Sequence, residues 1–285
     1  MGESCSDTVT ITLDLQRTIE EPYQEEESYQ EEVVVKEPGW FRKALSEMRP
    51  ATRMVTRIRT VKMTASARFE FCAIPAGTFL MGSEKEGSVH QVTIRRAFHL
   101  GKYPVTQAQW EAVMGTNPSK FRGDDRPVEQ VSWNDCQKFI EHLNATGKGT
   151  FRLPTEAEWE YACRAGSTGK FCSGDDESLL NDYAWYSANS GDQSQPVGQK
   201  KSNAWGLHDM HGNVWEWCQD WYDDYGADPE IDPQGPPTST MPVRVFRGGC
   251  WRGVADFAAS AHRGGRGPGY RDGILGFRLV CLSVT

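Results

Sequence analysis

A chain of 285 residues is long enough for one large domain or two ordinary ones. Its formal net charge of -8 argues against general nucleic-acid binding, which needs a basic face to displace counterions. No apolar run approaches the roughly 18 residues that cross a bilayer, so no membrane span is expected.

The first residues, MGESCSDTVT, have neither a basic start nor an apolar core, which leads us to expect a cytoplasmic protein without a secretory signal. Met1, Gly2 and Ser6 also fit the short N-myristoylation pattern. Thr8 to Leu15 alternates apolar and polar residues and predicts a strand. The acidic run from Glu20 to Glu32 has little to bury and is expected to stay solvated. A basic stretch with Arg42, Lys43, Arg49, Arg53, Arg57, Arg59 and Lys62 follows, and PGWFRKALSEM predicts a helix after Pro38. Residues 1–66 are therefore read as a charged leader, either flexible or able to dock on a partner protein.

Residues 67–285 read as a domain. FEFCAIPAGTFLMGS predicts a strand, a turn and a second strand, and HQVTIRRAFHLGKYPVT another strand running to a corner at Pro104. QAQWEAVMG and SWNDCQKFIEHLNATG carry apolar residues at helical spacing, the second with Ser132 or Asn134 as N-cap and Gly147 as stop. TEAEWEYACRAG predicts a helix with a Thr155–Glu158 capping box that ends at Gly166. RVFRGG and GFRLVC predict two closing strands, so the fold class is α+β with much irregular chain. The 28 glycines, 15 prolines and 10 tryptophans suit such a fold, with Trp133, Trp159, Trp215 and Trp217 as its anchors. Arg152, Glu156 and Glu158 are expected to form a structural polar network rather than acid–base machinery. The eight cysteines (5, 72, 136, 163, 172, 218, 250 and 281) show no Cys-x-x-Cys spacing, which predicts reduced, mostly buried thiols and no zinc site.

Seven stretches in order, AIPAGTFLMGS, YPVTQAQWEAVMG, RPVEQVSWNDC, FRLPTEAEWEYACRAG, NAWGLHDMHGNVWEWCQDW, RVFRGGCW and LGFRLVC, resemble the formylglycine-generating enzyme (sulfatase-modifying factor) family. The resemblance covers about 210 residues and implies a C-type-lectin-like fold. The family's oxidases bind copper through two cysteines after the Gly-Gly corner, a soft-ligand site. Here that segment holds Cys250 alone, at the family's usual serine, and the next cysteine is Cys281. No copper and no oxidase activity are expected, with a formylglycine-generating oxidase or another undiversified member as the alternative. The family's iron-dependent sulfoxide synthases carry histidines in a preceding domain, and the leader here has none.

The family also includes the variable proteins of diversity-generating retroelements, whose C-terminal stretch is rewritten at template adenines. Rewritten Asn codons cannot specify Lys, Glu, Gln, Met or Trp, and residues Arg252 to Ile274 contain none of the five. Average usage would give such a run about one time in a hundred. The resemblance thus implies a non-catalytic protein with a variable region near 244–280 that binds an unknown protein or cell-surface ligand. Its exposed face would comprise Arg252, Gly253, Val254, Asp256, Phe257, His262, Gly264, Gly265, Arg266, Gly267, Gly269, Tyr270, Asp272, Gly273 and Ile274. Ser260, Ala261 and Arg263 match the family's scaffold pattern, whereas Phe257, Ala258, Ala259 and His262 depart from it and are where diversification would show. Phe257 and Ile274 would lie in the core if the segment were only structural. The resemblance also implies a structural Ca²⁺ held by the side chains of Asp209 and Glu216 and the carbonyls of Gly212 and Val214.

Overall fold

The computed structural model describes residues 8–35, 45–238 and 242–284, with side chains at 8–12, 23–28, 50–57, 66–238 and 242–282. In chain order the elements are β1 (Thr8–Val35), β2 (Leu45–Ile74), β3 (Gly77–Met81), β4 (His90–Ile94), β5 (Phe98–Gly101), α1 (Gln107–Met114) and α2 (Trp133–Ala145). There follow β6 (Gly149–Arg152), α3 (Glu156–Arg164), α4 (Leu180–Tyr183), β7 (Ala184–Trp185), β8 (His211–Gly212) and β9 (Trp215–Trp221). The chain closes with β10 (Glu230–Ile231), β11 (Arg244–Arg247), β12 (Arg263–Arg266), β13 (Leu275–Gly276) and β14 (Val280–Val284). Among the described residues no helix is long and apolar enough to cross a membrane.

The chain divides into two units, one taking in residues up to Leu15 and from Ser66 on, the other being Gln16–Ala65. In the smaller unit the acidic run, expected to be solvated coil, is part of strand β1. Neighbouring β2 supplies opposite charges: Arg53 reaches Glu27 at 2.9 Å and Arg57 reaches Glu25 at 2.6 Å. Such exposed pairs contribute at most about 1 kcal/mol each, but across strands they favour pairing over coil. The helix expected after Pro38 falls partly on residues 39–44, outside the described residues, and from Leu45 on the chain is strand.

The larger unit holds short sheets ordered β10-β4-β3, β12-β11-β9-β13 and β7-β8, and its β5, β14 and β6 follow β2 in the sheet β1-β2-β5-β14-β6. HQVTIRRAFHL, expected as one strand, is two strands in different sheets. Asp232 breaks it, accepting hydrogen bonds from both the Arg95 amide (2.8 Å) and Arg95 Nε (2.7 Å). Helices α1, α2 and α3 start as their caps dictate: Thr106, Ser132 and Thr155 each close a capping box. Helix α3 ends one residue before the expected glycine, at Ala165, which itself takes the left-handed conformation (φ 47°).

Tryptophans staple the irregular segments. Trp217 Nε1 donates to Val131 O (3.0 Å), Trp133 Nε1 to Cys218 O (2.9 Å) and Trp159 Nε1 to Glu216 Oε2 (2.8 Å). Trp110 stacks on Phe139 at 5.2 Å, and Phe277 meets both edge-on. The indoles of Trp133, Trp159 and Trp217 thus bury apolar area while their polar edges meet a backbone or carboxylate oxygen, whereas Trp110 Nε1 is buried without a partner among the described residues.

Beneath these rings runs a set of buried charges. Arg278 Nε and Nη2 grip Glu216 at 2.6 and 2.7 Å, and both residues are fully buried. Arg247, also fully buried, pairs with Glu160 and lies 3.5 Å from Glu156, which in turn takes a two-point grip from Arg263. Arg152 clasps Glu158 at 2.6 Å through both terminal nitrogens. The polar residues of FRLPTEAEWE are thus framework, joining α3 to β6, β11 and β12. Replacing Glu216 by Gln leaves a buried guanidinium without its counter-ion, so Glu216→Gln should cost about 3–5 kcal/mol in urea denaturation. Adding Arg278→Met to that variant should recover part of the loss, since a buried pair replaced as a whole is often neutral.

Candidate functional site

The segment from Gly248 to Ile274 runs from β11 to β13, both of which pair with β9, and contributes β12 to the same sheet on the way. It turns at Gly248 and Gly249 (φ 101° and 77°), where a Cβ on Gly249 would come within 2.9 Å of Phe257 O. A short 3-10 turn at Ala255–Ala258 and the pairing of β12 back on β11 complete it.

Inward residues tie the segment down. Trp251 Nε1 donates to Gly273 O at 2.9 Å, and the Trp251 carbonyl accepts from Ser190 Oγ at 2.7 Å. Ala255, Ala258, Ser260, Ala261 and Arg263 are buried. Outward stand Arg252, Val254, Asp256, Phe257, Arg266, Gly269 and Tyr270, while His262, Gly264, Gly265, Gly267, Asp272 and Ile274 are half-buried. Phe257 keeps 44% of its surface exposed, and Ile274 packs against the core from its edge.

Two of the residues expected on the face are instead buried. Gly253 donates its amide to Cys250 O and accepts from Ser187 N, and Gly273 receives the Trp251 indole. Gly264 and Gly265 are crowded: added Cβ atoms would come within 2.3 Å of the Phe246 ring and 2.5 Å of Val243 Cγ1. By contrast, nothing lies within 4 Å of a Cβ on Gly269.

The exposed side chains gather in two groups. Phe257 stacks on His262 (5.0 Å, 14° between planes), with Trp215 5.7 Å from the imidazole, and His262 Nδ1 lies 2.6 Å from Glu86 Oε1. Tyr270 Oη donates to Asp272 (2.8 Å), Arg252 reaches the same carboxylate (3.3 Å), and Arg266 lies over the Tyr270 ring. Asp256 bridges Lys85 and Lys170 at 3.0 and 2.6 Å, and the two ammonium groups hold its carboxyl down at about 2. Reading the segment alone missed Trp215, Glu86, Lys85 and Lys170, because none lies near it in sequence.

The other chemistry-bearing residues sit in structural roles. Cys163 Sγ lies 3.8 Å from His211, but burial pushes its thiol up to about 12, far from a nucleophilic thiolate. The Cys250 thiol is likewise raised by burial. His211 lies 2.7 Å from Ala258 O and accepts from Cys172 N, fixing the segment from beneath.

Asp209, Gly212, Val214 and Glu216 share one turn, but Glu216 does not fit the part of a calcium ligand. Three N–H donors, from the Arg278 fork and Trp159, already occupy its carboxylate, and the guanidinium cancels its charge. Asp209, fully buried with Gly198 N as its closest donor, is raised to about 6 by that burial.

Residues 58–282 match the family model of the sulfatase-modifying factor enzyme 1-like domain. The chain is 33% identical over 220 residues to the chaperone protein LppX of Paenibacillus barcinonensis, covering 59% of this chain and 74% of that protein. To the formylglycine-generating enzyme of Streptomyces coelicolor it is 36% identical over 194 residues, spanning 62% of this chain but only 59% of the enzyme's length. Among solved structures, Treponema denticola variable protein 1 matches with a TM-score of 0.72 and 34% identity, over 76% of this chain and 96% of that one. The architecture is the α+β, C-type-lectin-like fold of the formylglycine-generating-enzyme type.

Two measurements follow from this packing. In thermal or urea unfolding, Gly269→Ser should lie within about 0.5 kcal/mol of the parent, whereas Gly264→Val should cost about 1–3 kcal/mol. Exchanging chelator for excess Ca²⁺ should leave the melting temperature unchanged. A calcium-dependent rise of about 4 °C or more would return Asp209 and Glu216 to the role of ligands.

Proposed function

The chain belongs to the sulfatase-modifying factor enzyme 1-like domain family, and on that footing we propose that this member is a non-catalytic binding protein. Its target-facing surface is the segment Arg252–Ile274, diversified as in the variable proteins of diversity-generating retroelements. One observation carries this reading. Along a stretch free of Lys, Glu, Gln, Met and Trp, the residues that match the family scaffold (Ser260, Ala261, Arg263) are buried, while of those that depart from it Phe257 is exposed, Ala259 and His262 are half-buried, and Ala258 alone is buried. The likeness to a solved protein named for its variability supports the same reading.

Phe257, Tyr270 and Arg266 are the energetic anchors of the face, because aromatic and arginine side chains dominate binding hot spots. Their main contacts are with one another and with His262 and Asp272 of the same face, on a loop held by its buried residues, so their change costs the scaffold little. The glycines at 264, 265, 267 and 269 leave the rest of the face shallow in this variant. Oxidase chemistry is not proposed: it needs a second thiolate beside Cys250, and the segment supplies none.

Sequencing the 3′ end of the gene and its flanking DNA across separate isolates tests the proposal. Substitutions should concentrate at 252, 254, 256, 257, 262, 266, 269, 270 and 272 and spare 255, 258, 260, 261 and 263. A neighbouring reverse transcriptase gene and a near-copy of the segment, differing only at adenines, should accompany them. A segment that is constant between isolates, with no such copy nearby, would overturn the reading.

A further inference from the structure

One cavity of the larger unit draws almost none of its lining from the segment Arg252–Ile274. It has a volume of about 450 Å³, and Arg263 is the sole residue of Arg252–Ile274 on its wall. Its floor is Asp220 and Glu156, its rim carries Asp223, Asp224 and Glu230, and Trp221, Tyr225, Pro233 and Pro236 give it flat apolar sides. Most of its cationic balance is already committed: Arg263 is bound on two points to Glu156, whose Oε1 also accepts from Tyr225 Oη.

Asp220 marks the cavity as more than a group of acids. It is 4% exposed and sits at the cavity floor, with Oδ2 accepting the Glu156 amide at 2.8 Å. Its Oδ1 accepts from no other residue, and Asp220 forms no ion pair among the described residues. Gly235 lies against it, so close that a Cβ there would come within 2.9 Å of Oδ1. Burial, and then the charge of Glu156, lift the Asp220 carboxyl to about 7. A carboxylate so placed has lost most of its hydration and gained no direct ion pair in return, the Arg244 guanidinium acting on it only from a longer distance.

The described residues include no group of three or more His, Cys, Asp and Glu placed to hold a metal ion. The flat walls suit a planar or slender organic cation. On the far side of this wall, Trp221 already stacks a guanidinium, with Arg244 Cζ 3.3 Å from its ring centroid. We propose that the cavity is a binding site for an alkylguanidinium or alkylammonium group, entering between Trp221 and the prolines to meet Asp220 Oδ1. The group could be carried by a free polyamine-type molecule or by an arginine or lysine side chain of a partner.

Calorimetric titration of the full chain with agmatine, with spermidine and with the peptide acetyl-Ala-Arg-Ala-amide tests this, with N-butylurea as the uncharged isostere of an alkylguanidinium. Saturable binding of agmatine or the peptide is expected, with N-butylurea at least about tenfold weaker. Tighter binding of agmatine or spermidine than of the peptide assigns the site to free amines, and the reverse order to a partner's side chain. Asp220→Asn should weaken binding about tenfold or more. Should that variant fail to fold, the rim double variant Asp224→Asn, Glu230→Gln should still weaken it about threefold, through long-range attraction alone. Absence of saturable binding, equal binding of N-butylurea, or displacement of the probe by Ca²⁺ at equal concentration would each overturn the proposal.

Discussion

The grip of Arg278 on Glu216 is the contact on which the rest of the larger unit depends. It joins the strand carrying the tryptophans, β9, to the approach of the last strand, β14, inside a region too irregular to be held by sheet ladders. Both charges are fully buried, and Arg278 also donates to Gly101 O and His208 O. A second buried centre at Arg247, Glu160 and Glu156 fixes α3 against β11 and β12. Buried ion pairs add little net stability compared with apolar packing, but a partner missing from either would be costly. We read them as devices for specifying one arrangement among many that a turn-rich chain could otherwise take.

That framework explains how a face can vary without unmaking the fold. Trp251, Ala258, Ser260, Ala261 and Arg263 point inward and hold the segment by hydrogen bonds and packing, while the side chains between them meet solvent. The inward positions answer to the core, and the outward ones meet solvent. The crowding at Gly264 and Gly265 sets a limit on this division, for both are reached from solvent yet pressed by Phe246, Val243 and Tyr222.

Much of the architecture was legible in the sequence wherever a local rule governs it. Ser132, one of two candidate caps, and Thr155 announce their helices because a capping side chain acts on an amide three residues away, and Thr106, not among the expected caps, acts in the same way on α1. The anchoring tryptophans and the polar framework of FRLPTEAEWE could be read from residue chemistry and resemblance together. What escaped reading depends on distant partners. The acidic run is strand because β2 lies beside it, and HQVTIRRAFHL splits because Asp232, well over a hundred residues on, captures Arg95. Glu216 resembles a metal ligand in its own turn, and only Arg278, 62 residues away, shows it to be a counter-ion. Lys85, Lys170 and Glu86 join the candidate face by the same kind of long return, and the acidic cavity gathers residues from four separate stretches of chain.

Both ends of the segment Gly248–Ile274 are clamped to the flanks of one strand, β11 on one side of β9 and β13 on the other. The entropy of closing a loop between fixed ends grows only logarithmically with its length, about 0.6 kcal/mol for each doubling. A few residues gained or lost between Arg266 and Asp272, where the chain meets solvent, therefore alter that entropy by a small fraction of this. The reach and contour of the surface can change through loop length as well as through residue identity, while β9 keeps its neighbours.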